Sequence, residues 1–114
     1  MHELAIVKRI LDLALDVSEQ NGALPVARVA VDVGALQNVV PEMMSFAFAA
    51  ISHGTNAEGA AFEWSEVPAE VICERCETSF RPDAPIWVCP ECGAGGGRVV
   101  RGDELVLRSV TLRE

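Results

Sequence analysis

Residues 71–98 read VICERCETSFRPDAPIWVCPECGAGGGR, and the two cysteine pairs inside this stretch decide how the rest of the chain is organised. Cys73-Glu74-Arg75-Cys76 and Cys89-Pro90-Glu91-Cys92 are separated by twelve residues. A C-x-x-C turn presents two sulfurs at one point, and two such turns facing each other form the tetrahedral four-thiolate cage that zinc favours. The separation is a little shorter than the roughly 15 to 20 residues common in this pattern. A lone cysteine would read as a small buried apolar residue, and a single pair as a redox motif. Two pairs, with no fifth cysteine in the chain, favour a metal. The expected role is structural: one zinc per chain, bound by Cys73, Cys76, Cys89 and Cys92, folding a segment too short and too rich in glycine to fold alone. Thiolates at all four positions leave no opening for an activated water, which speaks against hydrolytic catalysis.

On either side the texture changes. Leu4, Val7, Leu11, Ala14 and Leu15 recur at helical spacing, and Ile6, Ile10, Leu13 and Val17 widen the apolar face, which predicts a helix over 3–20. Asn21-Gly22 supplies its stop. Residues 26–34, VARVAVDVG, set Val29, Val31 and Val33 on one face and Arg28, Ala30 and Asp32 on the other, as a strand does. Pro41 suits the first turn of a second helix running through EMMSFAFAAIS, with Gly54 as its stop. AAFEWSEV (60–67) and ELVLRSVTL (104–112) alternate as further strands, the second of them after the metal loop. This order predicts an α+β fold: two helices packed on a small mixed sheet of about three strands, with an inserted four-cysteine zinc-ribbon module. Residues 1–70 together with 99–114 form the expected main domain, and 71–98 the zinc-binding domain.

The chain has 114 residues, 50% of them apolar and 23% charged, a composition that folds. Nine Lys and Arg against seventeen Asp and Glu give a formal charge of -8. Four thiolates and one zinc(II) would lower it further. So acidic a surface repels phosphate backbones and anionic lipid, so neither nucleic acid nor a membrane is an expected partner. No basic leader precedes the first helix pattern, and no apolar run reaches the roughly 18 to 20 residues of a membrane span. The expected location is the cytoplasm, where thiols stay reduced and paired cysteines bind metals.

Met1-His2-Glu3 sets an amine, an imidazole and a carboxylate side by side in sequence. An imidazole on the second residue can close a chelate ring with its own backbone nitrogen, and that nitrogen another with the terminal amine. Such nitrogen-rich sets suit nickel(II) and copper(II). Equally, His2 reads as an exposed terminal residue and Glu3 as an acid well placed at a helix start. The residues by themselves leave both readings open.

The opening MHELAIVKRILDLAL, the central VDVGALQNVVPEMMSFAFAAISHGTNAEGAAFEW and the C-x-x-C followed by CPECG resemble the HypA/HybF family of hydrogenase nickel-incorporation proteins, in order and over nearly the whole chain. The resemblance implies a nickel metallochaperone that serves a nickel-iron hydrogenase large subunit together with a HypB-type maturation GTPase, with urease as a further destination in some members. It implies nickel at His2, with Met1 and Glu3, and zinc at Cys73, Cys76, Cys89 and Cys92. A monomer and a weak homodimer both fit. His53 does not match an expected family ligand and reads as a favourable charge at a helix end. Glu58, Glu63 and Glu66 read as solvated acids, and Met43 and Met44 as core or interface. Two other classes compete: a rubredoxin-like iron protein, which CPECG also resembles but Glu77 after the first pair does not, and a zinc-ribbon protein-interaction module. An enzyme is not expected, since His2 and His53 are the only histidines and no nucleophile pairs with them.

Overall fold

The structure is a computed structural model that describes residues 2–82 and 87–114, the side chain of His2 excepted. Helix α1 spans His2–Gln20, strand β1 Val26–Gly34, a short 3-10 turn Ala35–Gln37, helix α2 Pro41–Ser52 and strand β2 Ala61–Val67. Strands β3 (Glu70–Ile72), β4 (Ser79–Phe80) and β5 (Arg98–Arg101) follow, and β6 (Leu105–Leu112) closes the chain. They make two three-stranded sheets, ordered β2-β1-β6 and β4-β3-β5. The chain divides into two compact units, one of Met1–Asp32, Asn38–Ser65 and Val106–Glu114, the other of Val33–Gln37 and Glu66–Leu105.

In the first unit α1 packs on α2. The apolar stripe of α1 is buried at Val7, Ile10, Leu11 and Ala14, and that of α2 at Met44 and Phe48. The Phe48 ring lies 5.2 Å from that of Phe62 on β2, which brings α2 onto the sheet. Burying each of these side chains larger than alanine stabilises the fold by about 1.5–3 kcal/mol. Strand β6 runs antiparallel to β1: the Arg113 N–H donates to the Pro25 carbonyl, and Arg108 Nη1 meets Asp32 Oδ1 at 2.9 Å farther along. Ala30, assigned by alternation to the same face as Arg28 and Asp32, is buried. A central strand is covered more completely than alternation alone suggests.

The loop GTNAEGA (54–60) ties α1 to β1. The Val26 N–H donates to the Asn56 carbonyl at 2.8 Å, and Asn56 Nδ2 donates to the Ala23 carbonyl and to Ser18 Oγ. Ser18 in turn donates to the Leu24 carbonyl at 2.6 Å, so its buried hydroxyl is satisfied. His53 is the C-cap residue of α2, at the helix end where the sequence places it, and is exposed, with Nδ1 2.8 Å from Glu58 Oε2.

In the second unit β3 pairs antiparallel with both β4 and β5. Gly34-Ala35-Leu36 joins it through backbone bonds: Gly34 N–H to the Glu104 carbonyl and Leu36 N–H to the Gly102 carbonyl, each 2.7 Å. A Cβ at Gly34 would collide with the Gly102 carbonyl, which explains the glycine. Gly102, at φ +106, donates its N–H to Glu104 Oε1. That bond, first, and the N–H groups of Glu104 and Asp103 hold the Glu104 carboxyl below its ordinary range.

Candidate metal centre

Both cysteine pairs fold into the same turn. In the first, the Glu77 N–H donates to the Cys73 carbonyl and the Cys73 N–H to the Thr78 carbonyl, each at 2.9 Å. In the second, Gly93 donates to Cys89 and Cys89 to Ala94, again at 2.9 Å. The residue after each pair takes a left-handed backbone, φ 62 at Glu77 and 75 at Gly93. Glycine does so freely, whereas a Cβ makes it cost about 1 kcal/mol or more. Glu77 therefore departs from the glycine of the second knuckle in identity but not in shape.

The two turns bring all four sulfurs within 4.8 Å of one another, and the four thiols are free of disulfides. Two close approaches cross between the knuckles: Cys73 to Cys92 at 3.6 Å and Cys76 to Cys89 at 3.5 Å. A tetrahedral zinc with bonds of about 2.3 Å sets its sulfurs roughly 3.8 Å apart, so the group fits zinc. Cys73 and Cys89 are buried, while Cys76 and Cys92 are exposed.

The local field is uneven. The Cys76 and Arg75 backbone N–H groups hold the Cys73 thiol below its ordinary value. The hydroxyl of Thr78, 3.2 Å from Cys76 Sγ, with the Thr78 backbone N–H, brings Cys76 down to about 6. At Cys92 the Ala94 N–H also pulls downward, but exclusion of water and the other three sulfurs outweigh it and push the thiol up to about 11. Four acidic groups packed this closely cannot all shed protons without a cation among them.

Of the sequence-predicted nickel residues, Met1 and the His2 side chain lie outside the described residues. Glu3 stands in the first turn of α1, and its Oε2 accepts a hydrogen bond from the Val40 N–H at 3.2 Å. Among the described residues, the cysteine group is the one cluster of three or more metal-binding side chains within ligand distance.

A family profile described as "Hydrogenase/urease nickel incorporation, metallochaperone, hypA" matches residues 1–112. The chain belongs to the HypA family. It is similar to the hydrogenase maturation factor HypA of Chlorobium limicola, 37% identical over 114 residues that cover 100% of this chain and 98% of the relative. The hydrogenase maturation factor HypA of Roseiflexus sp. is 38% identical over 111 residues, 96% of this chain and 90% of that one. The solution structure of the Ni metallochaperone HypA from Helicobacter pylori has the same fold, with a TM-score of 0.67 at 24% identity, covering 98% of this chain and 97% of that one. A second HypA solution structure aligns with a TM-score of 0.71 at 23% identity, covering 99% and 97%. HypA membership is thus a full-length property, and it includes the amino terminus and the paired knuckles alike. The α+β fold with two helices and small sheets agrees with that expected from the residues. No described helix is long and apolar enough to cross a membrane.

Sequence reading missed the contact of Glu3 with Val40, because 37 residues separate the partners. One signal was present. Val40-Pro41 opens α2 with a side chain that cannot cap, which leaves the place open to an acceptor from another element.

Proposed function

We propose that this protein is a nickel metallochaperone that binds nickel(II) at its amino terminus, through Met1, His2 and Glu3, and delivers it during maturation of a nickel-iron hydrogenase. The observation that best supports this reading is the family match over residues 1–112, which takes in Met1-His2-Glu3 as well as the four cysteines. Amine, backbone and imidazole nitrogens suit nickel(II), and a terminal chelate releases its metal more readily than a closed thiolate cage, as a carrier requires.

In this proposal the resident metal is zinc, one per chain, at Cys73, Cys76, Cys89 and Cys92; it stabilises the second unit and takes no chemical part. Nickel is cargo, and the protein catalyses no reaction itself. The division of labour follows the chain: 1–70 with 99–114 handles nickel and 71–98 holds zinc. A role in hydrogenase maturation implies contact with the maturation machinery, and we assign this to a HypB-type GTPase and the hydrogenase large subunit. Urease is a second destination, consistent with the family description. The protein acts in the cytoplasm, as a monomer or weak homodimer, without nucleic acid or membrane.

The test compares nickel affinity in the native chain, in His2→Ala and in a chain extended before Met1. Both changes should weaken nickel binding about tenfold or more, at unchanged zinc content. Equal affinity in all three overturns the amino-terminal site. A red, iron-containing protein as isolated would replace zinc with a rubredoxin-like centre.

A further inference from the structure

The start of α2 lacks a cap of its own. Val40, the N-cap residue, is extended at φ -101 and ψ 113 and makes no side-chain capping bond, and Pro41 at the first helical position has no N–H. The helix begins with the Met44 N–H donating to the Val40 carbonyl at 3.1 Å. Many helices complete this position with a capping box, in which a Glu or Gln three residues into the helix reaches back to the N-cap N–H. Here that residue is Met43, which cannot do so. The bond is made instead by Glu3, from the first turn of α1, at 3.2 Å. A carboxylate at this place also meets the positive end of the α2 dipole.

We propose that Glu3 is a positioning residue: it supplies from α1 the missing half of the α2 capping box, and so fixes the first turn of α1, and with it the amino terminus, at the start of α2. The inference rests on the amino-terminal nickel reading only for its consequence. Met1 and Glu3 are two residues apart, and each step of chain spans about 3.8 Å, so a fixed Glu3 confines the terminal amine to within about 8 Å of its own Cα. Terminal residues otherwise sample a wide volume, and ordering them on binding weakens the affinity. By carrying that ordering beforehand, the Glu3–Val40 bond raises nickel affinity, with Glu3 offering the metal its backbone nitrogen while its carboxylate stays on the Val40 N–H. It also couples the sites: whatever draws Glu3 away uncaps α2, and whatever holds the first turn of α2 steadies the amino terminus, by reciprocity.

The test uses the full-length zinc-loaded protein with Glu3→Gln, which keeps an acceptor oxygen, and Glu3→Ala, which does not. In nickel-free protein, Glu3→Ala should shift the Val40 amide resonance and speed its hydrogen exchange about fivefold, while Glu3→Gln stays near native. Nickel affinity should fall about fivefold in Glu3→Ala and by a smaller factor in Glu3→Gln, which keeps the acceptor but not the charge. A Val40 amide unmoved in Glu3→Ala overturns the cap. Equal loss of nickel affinity in both variants overturns positioning in favour of direct ligation by the carboxylate, and so does an affinity unchanged by Glu3→Ala, in favour of a purely structural bond. If His2→Ala leaves nickel binding intact while Val40 responds as expected, the nickel reading fails and the cap stands.

Discussion

The two compact units hold themselves together by different means. The first buries Val7, Ile10, Leu11, Ala14, Val29, Val31, Met44 and Phe48, a conventional core between two helices and a sheet. Apart from the ends of β1, β2 and β6, the second has strands of two to four residues, and its buried side chains beyond Val33 are Ala69, Val71, Cys73 and Cys89 among the described residues. Apolar burial stabilises the one; in the other, half of that short set is sulfur. The difference teaches where metal dependence should lie: a region whose interior is made of ligands stands or falls with the ion they hold.

The largest effect follows from breaking that contrast at the cysteines. Cys89→Ser, or chelation of the native protein, should remove one zinc per chain; apparent binding energies for structural zinc reach about 10 kcal/mol or more. Amide dispersion for residues 66–105 should collapse while α1 and α2 keep theirs, and uniform loss across both units would erase the distinction. Next comes Phe48→Ala in the helical core. It should lower stability by about 3–5 kcal/mol, read as a urea midpoint, with zinc content unchanged.

A smaller pair sharpens the comparison within the metal unit. Glu77→Gly relieves a strained left-handed residue and should stabilise the zinc-loaded protein by about 1 kcal/mol, whereas Gly93→Ala should cost a similar amount. Among the described residues, and its chain neighbours aside, no heavy atom lies within 4 Å of a Cβ built at Gly93, so backbone strain is the cost expected there. Opposite signs in thermal denaturation are expected; like signs would refute the equivalence of the knuckles. The smallest effect concerns Glu104. Its folded carboxyl is depressed, so the stability it adds is present above the ordinary carboxylate range and is lost as pH falls through the folded value. Glu104→Gln should lack that contribution at neutral pH and draw level with the native protein under acid conditions. Thiolate protonation acts on both proteins, so the difference between their urea midpoints isolates Glu104.

Much of this was legible because the signals are local. The 3.6-residue period of Leu4 to Val17 and the alternation of Val29, Val31 and Val33 place α1 and β1, and the spacing of Cys73, Cys76, Cys89 and Cys92 foretells a cluster whose sulfurs do converge. The sheet of β3, β4 and β5 was not legible, since strands of three, two and four residues are too short to show alternation. Nor was the left-handed turn at Glu77, because glutamate carries no signal for it and the matching Gly93 lies in the other knuckle. The Glu3 bond to Val40 depends on how two helices meet, which periodicity does not encode.

Each knuckle buries its first cysteine and leaves its second exposed. Any reagent that attacks from solvent, whether an alkylator, an oxidant or a competing chelator, therefore meets Cys76 and Cys92 before Cys73 and Cys89. A centre dismantled from solvent would lose one outer cysteine from each turn first, and any ion held there would then rest on an inner pair contributed by both turns, so that the two halves of the ribbon would still be bridged with half of the ligands gone.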